Sequence, residues 1–195
     1  SWKQNDSFDY RFEASDGKGT ATLPWYGGTL APVNIVSEKL KSNKIYFFSR
    51  ENNEPLWSYD IGENQVQNAV ISDDGSRIAV KTSNYIYFFS KDSNQPLWKY
   101  QCETGAEGPS GGNGGVDISA DGEYIAGGCR ESLNFFSKSG NLVWAYKEGI
   151  GIYAVSISAD GGYLAVGTSF SDELIFFSRE SNKPLWKYQA TSDVH

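Results

Sequence analysis

The chain has 195 residues, 39% of them hydrophobic and 15% aromatic, the composition of a protein that buries a core rather than of a disordered one. Its net charge of −7, from 24 acidic and 17 basic residues without long runs of one sign, makes nucleic acid or an anionic membrane surface an unexpected partner. No apolar stretch of about 18 residues occurs, so no membrane insertion is expected.

Methionine is absent even at position 1, so the chain reads as a processed or trimmed product, a start that a removed signal peptide would explain. It opens on Ser1-Trp2-Lys3-Gln4, which has the pattern of the later segment Leu97-Trp98-Lys99-Tyr100-Gln101 and reads as a spare strand. Asn5-Asp6-Ser7 is a glycosylation sequon at Asn5, meaningful only in a secreted chain. A degenerate first unit follows: Asp9 to Ala14 and the turn Asp16-Gly17 read as its first hairpin, and Gly19 to Leu23 as its second strand. Lys44 to Ser49 reads as the third strand, after an insertion at 24–43.

The second unit is complete. Asn68 to Ser72, the turn Asp73-Asp74-Gly75, Arg77 to Thr82, Tyr85 to Ser90 and Pro96 to Tyr100 spell four short strands joined by turns. None of these connections has room for a crossover helix, so the strands pair antiparallel as a meander. The third and fourth units repeat the pattern through Asp121-Gly122 and Asp160-Gly161. In all four units an aromatic strand ends in Phe-Phe-Ser and is followed by a hydrophobic residue and Trp: Trp57, Trp98, Trp144 and Trp186. Phe47, Phe88, Phe135 and Phe176 recur at intervals of 41, 47 and 41 residues, a period that belongs to four-stranded propeller blades. The expected fold is all-β: one β-propeller domain over 1–195, with about four four-stranded antiparallel blades at 8–60, 66–101, 115–147 and 152–189. Blade one is degenerate, and the N-terminal strand is left over. The Phe and Trp columns are expected to form the core, with small residues at Ala79, Ala126 and Ala165 for close approach.

The Ser-Ala-Asp-Gly runs, the Phe-Phe-Ser strands and the closing Pro-Leu-Trp-Lys-Tyr at 96–100 and 184–188 resemble the WD-like and PQQ-like propeller repeats of archaeal and bacterial surface or secreted proteins. The likeness spans about residues 44 to 190. It implies architecture only: the Gly-His and Trp-Asp pairs of true WD repeats are missing, and nothing matches the calcium ligands of quinoprotein dehydrogenases.

In a meander, fourth-to-first and second-to-third connections emerge on one face. Cys102 follows the fourth strand of the second unit and Cys129 the second strand of the third, which favours a disulfide over two buried thiols. Such a bond would stabilise by roughly 3 to 4 kcal/mol and would place the protein outside the cytosol. The same face carries the Trp25-Tyr26 insertion, the glycine-rich run 104–115 and the loop 169–172. Trp25, Tyr26, Tyr153 and Phe170 are therefore candidate binding residues for a glycan or protein. The alternative is a set of tolerated insertions, with Trp25 tucked over the core.

Catalytic patterns fare poorly. Gly108-Pro109-Ser110-Gly111-Gly112 fits a nucleophile elbow, but the lone histidine, His195, is the last residue. Asp16, Asp73, Asp74, Asp121 and Asp160 sit at turns, where backbone geometry selects Asp, and carry only a weak calcium signal. No catalytic residue, metal site or cofactor is expected. The expected function is a non-enzymatic extracellular or cell-surface propeller with a structural or adhesive role. It would self-associate into oligomers or filaments through strand edges or Ser1 to Gln4. The alternative is a binding module for a glycan or another surface protein, and a quinoprotein-like enzyme ranks last.

Overall fold

The computed structural model describes residues 43–49, 51–62, 64–102, 114–147, 151–168 and 172–190, and the backbone alone of 10–15 and 20–21. Among the described residues sixteen strands make four antiparallel four-stranded sheets, and there is no helix. The second sheet comprises β5 (Val66–Ile71), β6 (Arg77–Thr82), β7 (Tyr85–Ser90) and β8 (Pro96–Gln101), in that order. The third comprises β9 (Val116–Ile118), β10 (Tyr124–Cys129), β11 (Ser132–Ser137) and β12 (Leu142–Lys147). The fourth comprises β13 (Ile152–Ile157), β14 (Tyr163–Thr168), β15 (Glu173–Ser178) and β16 (Trp186–Gln189). These three are meanders, as the short turns require.

The first sheet departs from the expected order. Its strands are β1 (Tyr10–Ser15), β2 (Thr20–Ala21), β3 (Lys44–Ser49) and β4 (Pro55–Asp60), arranged β2-β1-β3-β4. The segment read as a second strand is thus at the edge, and β1 pairs with β3 along its whole length, from Tyr10 opposite Ser49 to Ser15 opposite Lys44. β1 thereby gives β3 a partner of matching length in the place that β6 takes beside β7.

The three described Asp-Gly turns are built the same way. Ser119 Oγ donates to Asp121 Oδ1 at 2.6 Å while accepting the Tyr124 N–H at 3.0 Å, and Asp121 Oδ1 accepts the Glu123 N–H. Ser72 with Asp74 and Ser158 with Asp160 repeat the motif. The hydrogen bond from Ser119 is the main reason the Asp121 carboxyl lies below its ordinary range. Turn-to-turn bonds then tie the sheets together, Asp73 N–H to the Ala120 carbonyl and Ala120 N–H to the Ala159 carbonyl.

Sheets adjacent in sequence are adjacent in space, with β1 against β5, β5 against β9 and β9 against β13. Among the described residues no substantial contact joins the fourth sheet to the first. Three apolar clusters fill the three seams. Ile45, Phe47 and Phe89 lie in the first, Phe88, Ile125 and Phe136 in the second, and Phe135, Leu164 and Phe177 in the third. These six phenylalanines are fully buried, and truncating any of them should cost about 3 kcal/mol or more. Ala79 and Ala126 are fully buried in this packing, whereas Ala165, on the last sheet, is half-buried. The third seam is tight enough that a Cβ on Gly128 would lie 2.5 Å from Ile152 Cγ2.

Cys102 and Cys129 are disulfide-bonded across the second seam, with Cα atoms 5.1 Å apart. Their sequence separation of 27 sets the loop-closure entropy that the bond removes from the unfolded chain. Replacing both with serine is expected to lower the free energy of unfolding by about 3.5 kcal/mol, read as a lower urea midpoint.

Candidate functional site

A single aromatic device closes every seam. Across β3–β4, β7–β8 and β11–β12 the register slips by one residue between the two phenylalanines, so Phe47 opposes Trp57 while Phe48 opposes Pro55, with Leu56 skipped. The slip turns Leu56, Leu97 and Val143 outward to solvent and lays the neighbouring Trp flat on the first phenylalanine of its own sheet. The ring centroids lie 5.2 Å apart for Trp57 on Phe47, 5.2 Å for Trp98 on Phe88 and 5.0 Å for Trp144 on Phe135.

From there each Trp reaches the next sheet. Trp57 lies 5.5 Å from Phe89, Trp98 5.3 Å from Phe136 and Trp144 5.6 Å from Phe177. Their indole N–H groups donate to the backbone carbonyls of Lys91, Lys138 and Arg179, at 2.8, 3.0 and 2.7 Å. Each acceptor is the residue directly after Phe-Phe-Ser in the following unit. Tyr59, Tyr100 and Tyr146 add an edge-on contact to the same receiving phenylalanine.

The third seam shows how completely a sheet is covered. Tyr124, Phe135 and Trp144 stack as a three-ring ladder. The Arg179 guanidinium sits 4.8 Å over the Tyr124 ring, and Gly161, at φ +66°, lies so close that a Cβ would come within 2.5 Å of it. The fourth sheet rebuilds the ladder with Tyr163, Phe176 and Trp186, at 5.6 and 4.9 Å, but among the described residues no sheet packs on it. Tyr163 is 50% exposed, Trp186 46% and Tyr188 60%, and the Trp186 indole N–H has no partner among the described residues. Trp186 was expected in the core. Among the described residues it lacks the neighbouring sheet that half-buries the other three.

The end of the sheets that carries the disulfide is a second candidate. Ile152 N–H donates to the carbonyl of Arg130, the residue after Cys129, and brings the next residue, Tyr153, to that end with 63% of its surface exposed. Of the residues read as a binding set, only Tyr153 is described. Trp25, Tyr26, Phe170, Asn5 and Ser1 to Gln4 lie outside the described residues, as do Ser110 and His195. Lys81, which the sequence did not single out, is buried near this end. Its ammonium donates to Gln67 Oε1 at 3.1 Å and to the Thr82 carbonyl, and burial pulls its pKa down to about 8.

A half-buried carboxyl serves the seams. Asp117 accepts the N–H of Ile118 on its own strand and that of Ile157 on the next sheet, at 2.9 and 2.8 Å. Burial raises its carboxyl above the ordinary range even so. Among the described residues no three His, Cys, Asp or Glu side chains converge to hold a metal ion. No protein-family model matches the chain, and no curated protein matches it in sequence.

Two expectations follow from this geometry. Trp144→Phe keeps the stacking but strands the Arg179 carbonyl, and should cost about 1 kcal/mol in chemical denaturation, whereas Trp186→Phe should cost close to nothing in the monomer. Lys81 has a folded pKa of about 8 against 10.5 in the unfolded chain, so between those values the unfolded state holds more protons. Wild-type stability should therefore rise with pH across that window relative to Lys81→Met, measured as the difference between the two urea midpoints at pH 7.5 and pH 10.

Proposed function

We propose that this chain is a β-propeller-type repeat scaffold, akin in design to the WD-like and PQQ-like repeats it resembles, which works by contact rather than by catalysis. The observation that carries the reading is the aromatic ladder left open on the fourth sheet. Tyr163, Phe176 and Trp186 have the arrangement that at the third seam is covered by a neighbouring sheet. A contiguous exposed aromatic face rimmed by polar residues marks an interaction surface. The Cys102–Cys129 disulfide supports a place outside the cytosol, where such bonds persist. The role is structural or adhesive, with copies of the chain as the first partner. Strand edges and the Ser1 to Gln4 segment are further routes to the same assembly.

A second reading, recognition of a glycan or a surface protein at the disulfide end, is favoured by the exposure of Tyr153 there. One experiment separates the two: light scattering with electron microscopy on the full chain under non-reducing conditions. Oligomers or filaments are the expected result. A compact monomer at every concentration contradicts the scaffold reading, and if that monomer binds a glycan array and loses binding on Trp25→Ala, the second reading takes its place.

A further inference from the structure

The open face of the fourth sheet has a matching half elsewhere in the same chain. At every occupied seam the receiving sheet offers the second phenylalanine of Phe-Phe-Ser, and Phe89, Phe136 and Phe177 are all fully buried there. The second and fourth sheets add an asparagine from the turn that follows. Asn94 Nδ2 donates to the Ser58 carbonyl at 3.4 Å and Asn182 Nδ2 to the Ala145 carbonyl at 3.0 Å, in each case the residue after the Trp.

The first sheet has both features, and among the described residues no sheet lies against that face. Phe48 occupies the place of Phe89 and Phe177 but is only half-buried, and Asn53, at the place of Asn94 and Asn182, is exposed. The chain thus carries a giving face at one end of its row of sheets and a receiving face at the other. The two are built to the ring contact that joins its sheets three times and to the asparagine contact that joins them twice.

We infer that the fourth sheet of one copy docks on the first sheet of a second copy, with the Trp186 ring against Phe48 and Asn53 donating to the Lys187 carbonyl. This rests on the scaffold reading above and names the surface it uses. The occupant is a second copy because the pattern calls for Phe-Phe-Ser followed by the asparagine turn, and the first sheet bears that pattern uncovered. A strand edge would be recognised through the backbone alone. Here recognition comes from a sheet face with a specific ring pair and a side-chain amide. Because the two faces differ, the contact is head-to-tail, and it produces a ring where the rotation closes and a filament where it does not.

Complementation tests it on the full chain. Trp186→Ala removes the giving half and Asn53→Arg the receiving half. Both positions are exposed, so both variants should keep the wild-type circular dichroism spectrum, and Phe48→Ala serves as a second receiving-side variant. Each variant alone should associate at least roughly 30-fold more weakly than wild type in sedimentation or light scattering. An equimolar mixture of Trp186→Ala and Asn53→Arg should form dimers and stop there, since one good interface remains per pair. If wild type assembles but Trp186→Ala assembles equally well, this face is wrong while the scaffold reading stands, more so if deleting Ser1 to Gln4 abolishes assembly. If wild type stays monomeric with the Trp186 indole shielded from a fluorescence quencher, the fourth sheet is covered within its own chain and both proposals fall.

Discussion

The four-sheet array depends on one interaction, the indole N–H that leaves its own sheet to reach a backbone carbonyl of the next. A β-sheet satisfies its backbone internally and presents only side chains to a neighbouring face, so face-to-face packing by itself has little directional content. Trp57, Trp98 and Trp144 supply the direction. Each is held flat against a phenylalanine of its own strand pair and placed by a one-residue slip in the ladder, and its single donor fixes the next sheet in register. The slip explains why each Trp follows an outward-facing Leu or Val: the skipped residue turns to solvent so that the Trp can turn in.

Around that interaction the remaining polar groups fall into place. The Ser-x-Asp turns close the inner hairpins and hand hydrogen bonds from Asp73 to Ala120 and from Ala120 to Ala159. Asn68 and Asp117 extend the same idea to the inner strands, each accepting a backbone N–H from the following sheet. Lys81 is the exception. It is buried with only neutral oxygen partners, a cost to folding near neutral pH that no seam interaction explains.

Much of this was legible in the sequence because a repeat states its rules several times. The Phe-Phe-Ser strand, the Asp-Gly turn and the Cys102–Cys129 pairing all follow from register, since strands of fixed length and alternating direction leave few places for them. The first sheet was misread for the opposite reason. It has no second copy to compare with, and an Asp-Gly turn after Tyr10 to Ser15 specifies a hairpin without saying which of its strands pairs with β3. The open face was hidden differently. Trp186 looks the same as Trp98 in sequence, and only the structure distinguishes them: among the described residues a neighbouring sheet receives the Trp98 indole, whereas Trp186 is exposed. Burial of Lys81 was invisible because a lysine in a strand ordinarily reads as a solvent-facing position.

Indole N–H hydrogen exchange, followed by NMR on 15N-labelled chain below the concentration at which it associates, tests the seam account most directly. Single Trp→Phe variants would provide the assignments. The account predicts slow exchange at the Trp57, Trp98 and Trp144 indoles and rapid exchange at Trp186. Rapid exchange at the three seam positions, or protection of Trp186 equal to theirs in the dilute monomer, would contradict it.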